Sequence, residues 1–274
     1  MASADLLVVI LDLIMRHIPI VYEEQFIFLE SIPVCNIHAV LLYAATDCSV
    51  WFTVTFTFDR FVAICCQKFK SKYCTEQTAA SVIATVTVLS CLKNVFWYFM
   101  LTGVYMLDNL PWFCWGRNGV VSSPAWGAIE FLHYLITPVG AFIVILLLNV
   151  LTVRRILVAS RARKRLRAQG NVDSCRDPEM ESRRKSIIVL LFISGNFILL
   201  WAAFVVFSIW MRIYCLWAIT EFPPYSVQEL GFMLQLLSCC TNTGLYAVTQ
   251  TKFRQQLKDM VKRPVSFLTK CIIR

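Results

Sequence analysis

The chain is poor in charge. Of its 274 residues, 16% are Asp, Glu, Lys or Arg and 58% are hydrophobic. A soluble globular domain is about 25% charged and about 45–50% apolar, so that class is excluded. It has no CxxC pair and no Cys/His cluster, and its 12 cysteines follow no regular spacing. A zinc site is therefore not expected. The three histidines, His17, His38 and His133, are scattered and offer no metal site. No basic segment precedes the apolar start Met1 to Leu11, so no cleavable signal peptide is expected. Asn-x-Ser/Thr acceptors, internal repeats, a catalytic constellation and a nucleotide-binding loop are all missing. The net charge of +9 does not point to nucleic acid, because the basic residues gather in a few loops between apolar runs.

What is there is long apolar runs, with a mean hydropathy of +0.64. A membrane-crossing helix needs about 20 mostly apolar residues. Six stretches meet that length: 2–22, 33–66, 79–107, 125–158, 186–216 and 227–250. Lys68, Lys70 and Lys72 follow the second run, a dense Arg/Lys cluster from Arg154 to Lys185 follows the fourth, and Lys252 to Arg274 form a basic tail. The other side holds only Arg16, Arg117 and Arg212. Positive charge marks the cytosolic side, so both termini are expected inside. The polar segment 159–185 reads as a flexible cytosolic loop. Residues 251–274 read as an amphipathic helix and tail, with Phe253 and Leu257 dipping into the bilayer surface. The whole of 1–274 is expected to be one membrane-embedded domain.

Asp59-Arg60-Phe61 closes the second run, at its cytosolic mouth. A charged residue inside a span costs about 2.5–3.5 kcal/mol on insertion scales, so it is read as functional by default. An exposed ion pair of the same composition contributes about 0–1 kcal/mol and is the plain alternative. Asp5, Asp12, Asp47, Lys93 and Glu130 are further ionisable residues in or near spans. Asp47 and Glu130 are expected to face a ligand cavity opening outward, and Lys93 to snorkel; structural ion pairs are the alternative. Trp97, Tyr98, Trp112, Phe113, Trp115, Trp126, Trp210 and Trp217 read mainly as an interfacial aromatic belt, with a few of them lining the pocket mouth.

Together these features resemble a rhodopsin-like (class A) G-protein-coupled receptor. The resemblance runs from the first residues to about Lys258 and begins at the family's second helix, giving six of seven helices. It implies an all-α polytopic transmembrane bundle with a short amphipathic C-terminal helix. Cys35 lies 25 residues before Arg60, as in the family, and Cys114 is the partner the resemblance implies for a disulfide; Cys215 remains a competing partner. Asp5 stands at the family's sodium-site carboxylate, and a pocket of Asp5, Ser49, Trp201, Ser238 and Asn242 would hold a sodium ion. The alternative is a buried polar cluster that joins helices. Trp201 and Phe197 look like the toggle tryptophan and its partner, and with Val50 and Pro138 they form the implied transmission set. Asp59, Arg60, Phe61 and Tyr246 form the implied G-protein switch, with Asn242-Thr243-Gly244-Leu245-Tyr246 resembling the seventh-helix motif.

The departures are specific. Thr243 and Ala203 replace helix-kinking prolines, Arg183 replaces the acid that would lock Arg60, and Leu146 replaces a tyrosine. Leu42 stands where amine receptors carry an aspartate, which argues against a biogenic amine. The pattern is similar to the orphan subgroup that responds to tryptophan and phenylalanine. That likeness implies a small extracellular ligand near Leu42, Asp47, Glu130 and Trp201, an aromatic amino acid or peptide. The expected partners are a heterotrimeric G protein and the bilayer, with no nucleic acid, at the plasma membrane. Other readings are a non-signalling truncated receptor partner and a polytopic transporter or channel subunit. Cys271 is a palmitoylation candidate or a plain free thiol.

Overall fold

Apolar runs of this length must satisfy their own backbone hydrogen bonds in a bilayer, and the helix does so within one segment. The computed structural model is accordingly an all-α, multi-pass bundle; it describes residues 1–107, 113–117, 119–120, 123–169, 178–217, 224–249 and 255. The tail expected as an amphipathic helix, with Cys271, lies outside the described residues apart from 255, as do the side chains of Arg183, Thr243 and Tyr246.

The first run folds as α1 (Ala2–Val8), a π-helical stretch (Val9–His17) and α2 (Ile18–Val21). A short α3 (Glu23–Phe26) and a 3-10 turn (Ile27–Ser31) lead to α4 (Cys35–Cys65). No Gly or Pro interrupts α4, and Thr53 and Thr57 satisfy their hydroxyls on the carbonyls of Ser49 and Thr53, four residues back. The basic stretch after it is not a loop but a short helix, α5 (Gln67–Tyr73). Thr75 caps α6 (Glu76–Asn94) by accepting from the Thr78 N–H.

The third run departs from expectation at its outer end. After α7 (Phe96–Met100) the chain becomes β1 (Leu101–Tyr105), paired antiparallel with β2 (Cys114–Gly116). Apolarity alone does not separate a strand from the end of a helix. Gly103 lets this hairpin lie on the chain before α4, since a Cβ there would be 3.0 Å from the Pro33 carbonyl oxygen.

Ser123 caps α8 (Pro124–Tyr134), with Pro124 in its first turn. A π-helical stretch (Leu135–Gly140) carries non-helical dihedrals at Thr137 beside Pro138, and α9 (Ala141–Gln169) follows. α10 (Pro178–Trp217) continues unbroken through Ala203, and α11 (Tyr225–Thr249) closes the described bundle. The expected flexible loop 159–185 is therefore largely helical: α9 reaches Gln169 and α10 begins at Pro178. Gly231 permits the close crossing of α10 and α11, because a Cβ there would be 3.1 Å from the Phe204 Cα.

Four of the described helical segments are long and apolar enough to cross a membrane by themselves: Cys35–Cys65, Glu76–Met100, Pro124–Ala162 and Ile187–Met211. The first and last expected spans pack into the same bundle but carry Asp5, Asp12 and Arg16, or Gln228, Glu229 and Gln235. Asp5, Asp12, Arg16, Gln228 and Gln235 are buried inside the bundle, so both segments belong to it although they are richer in polar groups.

Candidate functional site

Helix α4 runs through the centre and carries functional candidates at three levels. At its outer end Cys35 is disulfide-bonded to Cys114, with the Cα atoms 5.8 Å apart. The bond ties α4 to the hairpin. Phe113 and Tyr105 stack there, and Phe113 also lies against the His38 ring. The Tyr105 hydroxyl donates to His38 Nδ1 at 3.3 Å, and His38 Nε2–H donates to the Leu11 carbonyl at 2.8 Å. Burial pushes the Tyr105 hydroxyl above its ordinary pKa.

One level inward, a cavity of about 40 Å³ lies between α4, the π-helical stretches, α10 and α11. That is room for a few water molecules. Leu42, Asp47 and Trp201 line it, as expected, with Tyr43, Tyr134, Phe204 and Phe232 as aromatic wall. Pro138 lines it too, whereas Glu130 is not among the lining residues.

The charges around this cavity are paired. Arg16 Nε donates to Asp12 Oδ1 at 2.5 Å, both side chains being buried. The Arg16 guanidinium lies over the Phe232 ring, 4.4 Å from its centroid, and Nη2 donates to His17 Nε2 at 2.8 Å. His17 Nδ1 in turn faces Glu229 Oε2 at 3.7 Å. Arg16, which counts in the sequence among the few basic residues of the outer side, belongs to a buried pair, and its i,i+4 spacing from Asp12 is the signal for it. Lys93, expected to snorkel, instead has its ammonium 2.7 Å from Asp47 Oδ2 and donates to Thr137 Oγ1 at 2.9 Å. Asn94 adds a donor to the same Asp47 oxygen at 2.7 Å, and Trp51 Nε1 donates to Thr137 Oγ1 at 2.9 Å.

Trp97 belongs to the few aromatics off the belt. It is buried and stacked on Tyr43, with ring centroids 4.1 Å apart. His133 meets both rings edge-on. A tryptophan inside this outer cluster and one at the lipid boundary look alike in sequence, since both lie at the same depth.

Below the cavity, Val50, Ile145, Phe197, Trp201 and Phe204 form one buried cluster. Trp201 joins it to the cavity wall above, and Phe197 lies 5.4 Å from Trp201, ring to ring. Beside this cluster the Ser49 hydroxyl donates to Asp5 Oδ1, and the Asn242 side chain is in bonding reach of the same carboxylate. Asp5 Oδ2, Ser238 Oγ and Asn242 Oδ1 are buried oxygens with no hydrogen-bond partner. Asp5, Ser49 and Asn242 thus bring buried oxygens together around one carboxylate, the donor chemistry that a hard monovalent cation such as sodium would fit. Trp201 belongs to the neighbouring aromatic cluster.

At the inner end of α4, Arg60 pairs with Asp59: Nη2 is 2.5 Å and Nε 3.0 Å from Oδ2. Both side chains are more than a third exposed, and Arg60 also lies over Phe56 at 5.5 Å. Phe61 follows on the same helix, partly buried. The helices beside this end are joined by polar contacts, Ser194 to Asn149 at 3.5 Å and Asn196 to Thr241 at 2.8 Å.

Comparison with known proteins agrees with this layout. The model of the family described as "7 transmembrane receptor (rhodopsin family)" matches residues 1–246. The crystal structure of squid rhodopsin superposes with a TM-score of 0.63 at 15% identity, over 84% of this chain. That identity speaks for the fold alone. This chain spans 65% of the length of the squid rhodopsin chain.

Proposed function

The chain belongs to the rhodopsin family of seven-transmembrane receptors, and on that premise we propose that it transduces a small extracellular ligand into G-protein activation at the plasma membrane. The observation that carries the proposal is the course of α4. One helix lines the cavity with Leu42 and Asp47 and ends in the exposed Asp59–Arg60 pair. A ligand in the cavity shifts the population toward a state in which α10 moves outward and Arg60 is released to the Gα subunit. It does so only through different affinity for the two states. Val50, Phe197 and Trp201, packed between the two levels, carry the change, with Pro138 and the irregular Thr137 as the flexible point of the fourth span.

The ligand class in this proposal is an aromatic amino acid or a short peptide bearing one. Supporting it is the aromatic wall of Tyr43, Tyr134, Phe204 and Phe232. At about 40 Å³ the cavity must widen to admit such a ligand, which couples binding to movement of these rings. A sodium ion at Asp5, Ser49, Ser238 and Asn242 favours the resting state; its support is the set of unpartnered oxygens.

The test compares Arg60→Ala with the native protein at equal surface expression, measuring nucleotide exchange on purified G protein. The variant is expected to lose at least about tenfold of the rate, roughly 1.4 kcal/mol of transition-state stabilisation. Undiminished exchange removes the switch role of Arg60.

A further inference from the structure

The cavity is surrounded by charge that the protein has already neutralised. Asp47 is among its lining residues and Lys93 is not. Lys93 comes from α6, behind the wall, and sets its ammonium 2.7 Å from Asp47 Oδ2. Asn94, the next residue on α6, donates to that same oxygen at 2.7 Å. Lys93 also holds Thr137, at the irregular turn of the fourth span, at 2.9 Å. On the opposite wall, Asp12 is held by Arg16 at 2.5 Å.

We infer that Lys93 determines the charge class of the ligand: it occupies Asp47 as a built-in ammonium and restricts the cavity to net-neutral ligands. This rests on the reading of the cavity as the ligand site. A cationic ligand gains nothing by reaching Asp47, because it exchanges one ammonium for another on the same carboxylate. It also frees the Lys93 charge in a poorly hydrated place, where an unpaired ion is costly. An anionic ligand meets the same obstacle at Arg16, whose charge is balanced by Asp12. Neutral molecules, and zwitterions whose two ends compensate, disturb neither pair. The absence of an acid at Leu42 does not by itself exclude amines, since Asp47 lies on the same helix and the same cavity. Lys93 is what withdraws it.

The experiment uses purified full-length chain in lipid nanodiscs at pH 7.4, with two isosteric probes: phenethylammonium, a cation, and 2-phenylethanol, its neutral counterpart. Binding is read from the shift of the thermal unfolding midpoint. The native protein is expected to bind phenethylammonium no more tightly than 2-phenylethanol. In Lys93→Met, which keeps an apolar stem and removes the charge, phenethylammonium should gain at least about tenfold in affinity, equal to roughly 1.4 kcal/mol. The alcohol should change by less than about threefold, under roughly 0.7 kcal/mol. Adding Asp47→Asn to Lys93→Met should erase the gain.

A native preference for the cation equal to that of Lys93→Met overturns the inference. So does a folded Lys93→Met without the gain, or a gain that survives Asp47→Asn. If Lys93→Met is too unstable to purify alone, the comparison is read as the yield of monodisperse protein. Recovery with phenethylammonium but not with 2-phenylethanol supports the inference, and equal failure with both overturns it. Because the readout is binding, loss of G-protein activation in a separate assay strikes only the signalling proposal. Failure here leaves that proposal in place.

Discussion

Helix α4 and the segment Glu76–Met100 are equally at home in a bilayer by composition, yet the structure uses them in opposite ways. Their mean hydropathies over the apolar window are 1.4 and 1.6. In α4, 61% of that window is buried inside the protein; in Glu76–Met100, 11% is. Leu89, Leu92, Val95 and Phe99 point away from the bundle, while Val50, Thr53 and Thr57 are sealed within it. Hydropathy reports the cost of leaving water, which lipid and protein repay alike. It therefore cannot tell a central helix from a peripheral one. The difference lies in polar residues: α4 carries Asn36, His38, Asp47, Ser49, Thr53 and Thr57 around its circumference, each buried. Thr53 and Thr57 bond within α4 itself, while His38, Asp47 and Ser49 find partners on three neighbouring stretches, at Leu11, Asn94 and Asp5. The peripheral segment reaches the site at its outer end, through Lys93 and Asn94 on Asp47 and through Trp97 stacked on Tyr43.

The contrast can be broken most severely at the pair on the first run that faces α4 and α11. Arg16→Met leaves Asp12 buried without its cation and should cost about 3–5 kcal/mol, seen as a large drop in the thermal midpoint. Restoration of the midpoint by adding Asp12→Leu would identify the unpaired charge as the cause. Next comes the covalent anchor of α4: Cys35→Ser removes the disulfide and should cost about 2–5 kcal/mol, measured the same way with reducing agent having no further effect. Ser49→Ala deprives Asp5 of its hydroxyl donor and should cost about 1–3 kcal/mol. If the cluster holds sodium, this variant also loses part of the stabilisation that sodium chloride gives over choline chloride. The smallest effect is expected on the lipid-facing side: Leu92→Ala on α6 should stay within about 0.5 kcal/mol. A loss of several kcal/mol there would show that this face is covered by protein and would erase the contrast between the two helices.

Much of the site was legible because its residues recur at readable spacings. The Asp59–Arg60 pair and the Phe197–Trp201 contact come from residues one and four apart, and Cys114 is bonded to Cys35. What escaped were pairings whose two halves are remote in the chain or disguised by position. Lys93 looked like a snorkelling residue because its partner Asp47 is 46 positions away on another helix. Arg16 looked like an outer charge because the π-helical stretch that turns it inward leaves no mark in the hydropathy. The hairpin after Met100 was hidden because an apolar run ending at an interface reads equally well as helix or strand. Glu130 shares the face of α8 that carries the lining residues His133 and Tyr134 but is not itself among them, a matter of depth along the helix that residue type does not specify.

The sequence by itself determined that the chain lives in a bilayer, where its long apolar segments lie, and which end of α4 carries the arginine. These follow from transfer free energies summed along a segment and from the placement of Lys and Arg, both of which are local. Only the tertiary structure decided which helix is central and which carboxylate meets which cation. It also decided that the cavity between them is electrically balanced. Those outcomes depend on the rotation and depth of each helix against its neighbours, and a shift of one residue, about 100° around the axis, is enough to exchange one partner for another.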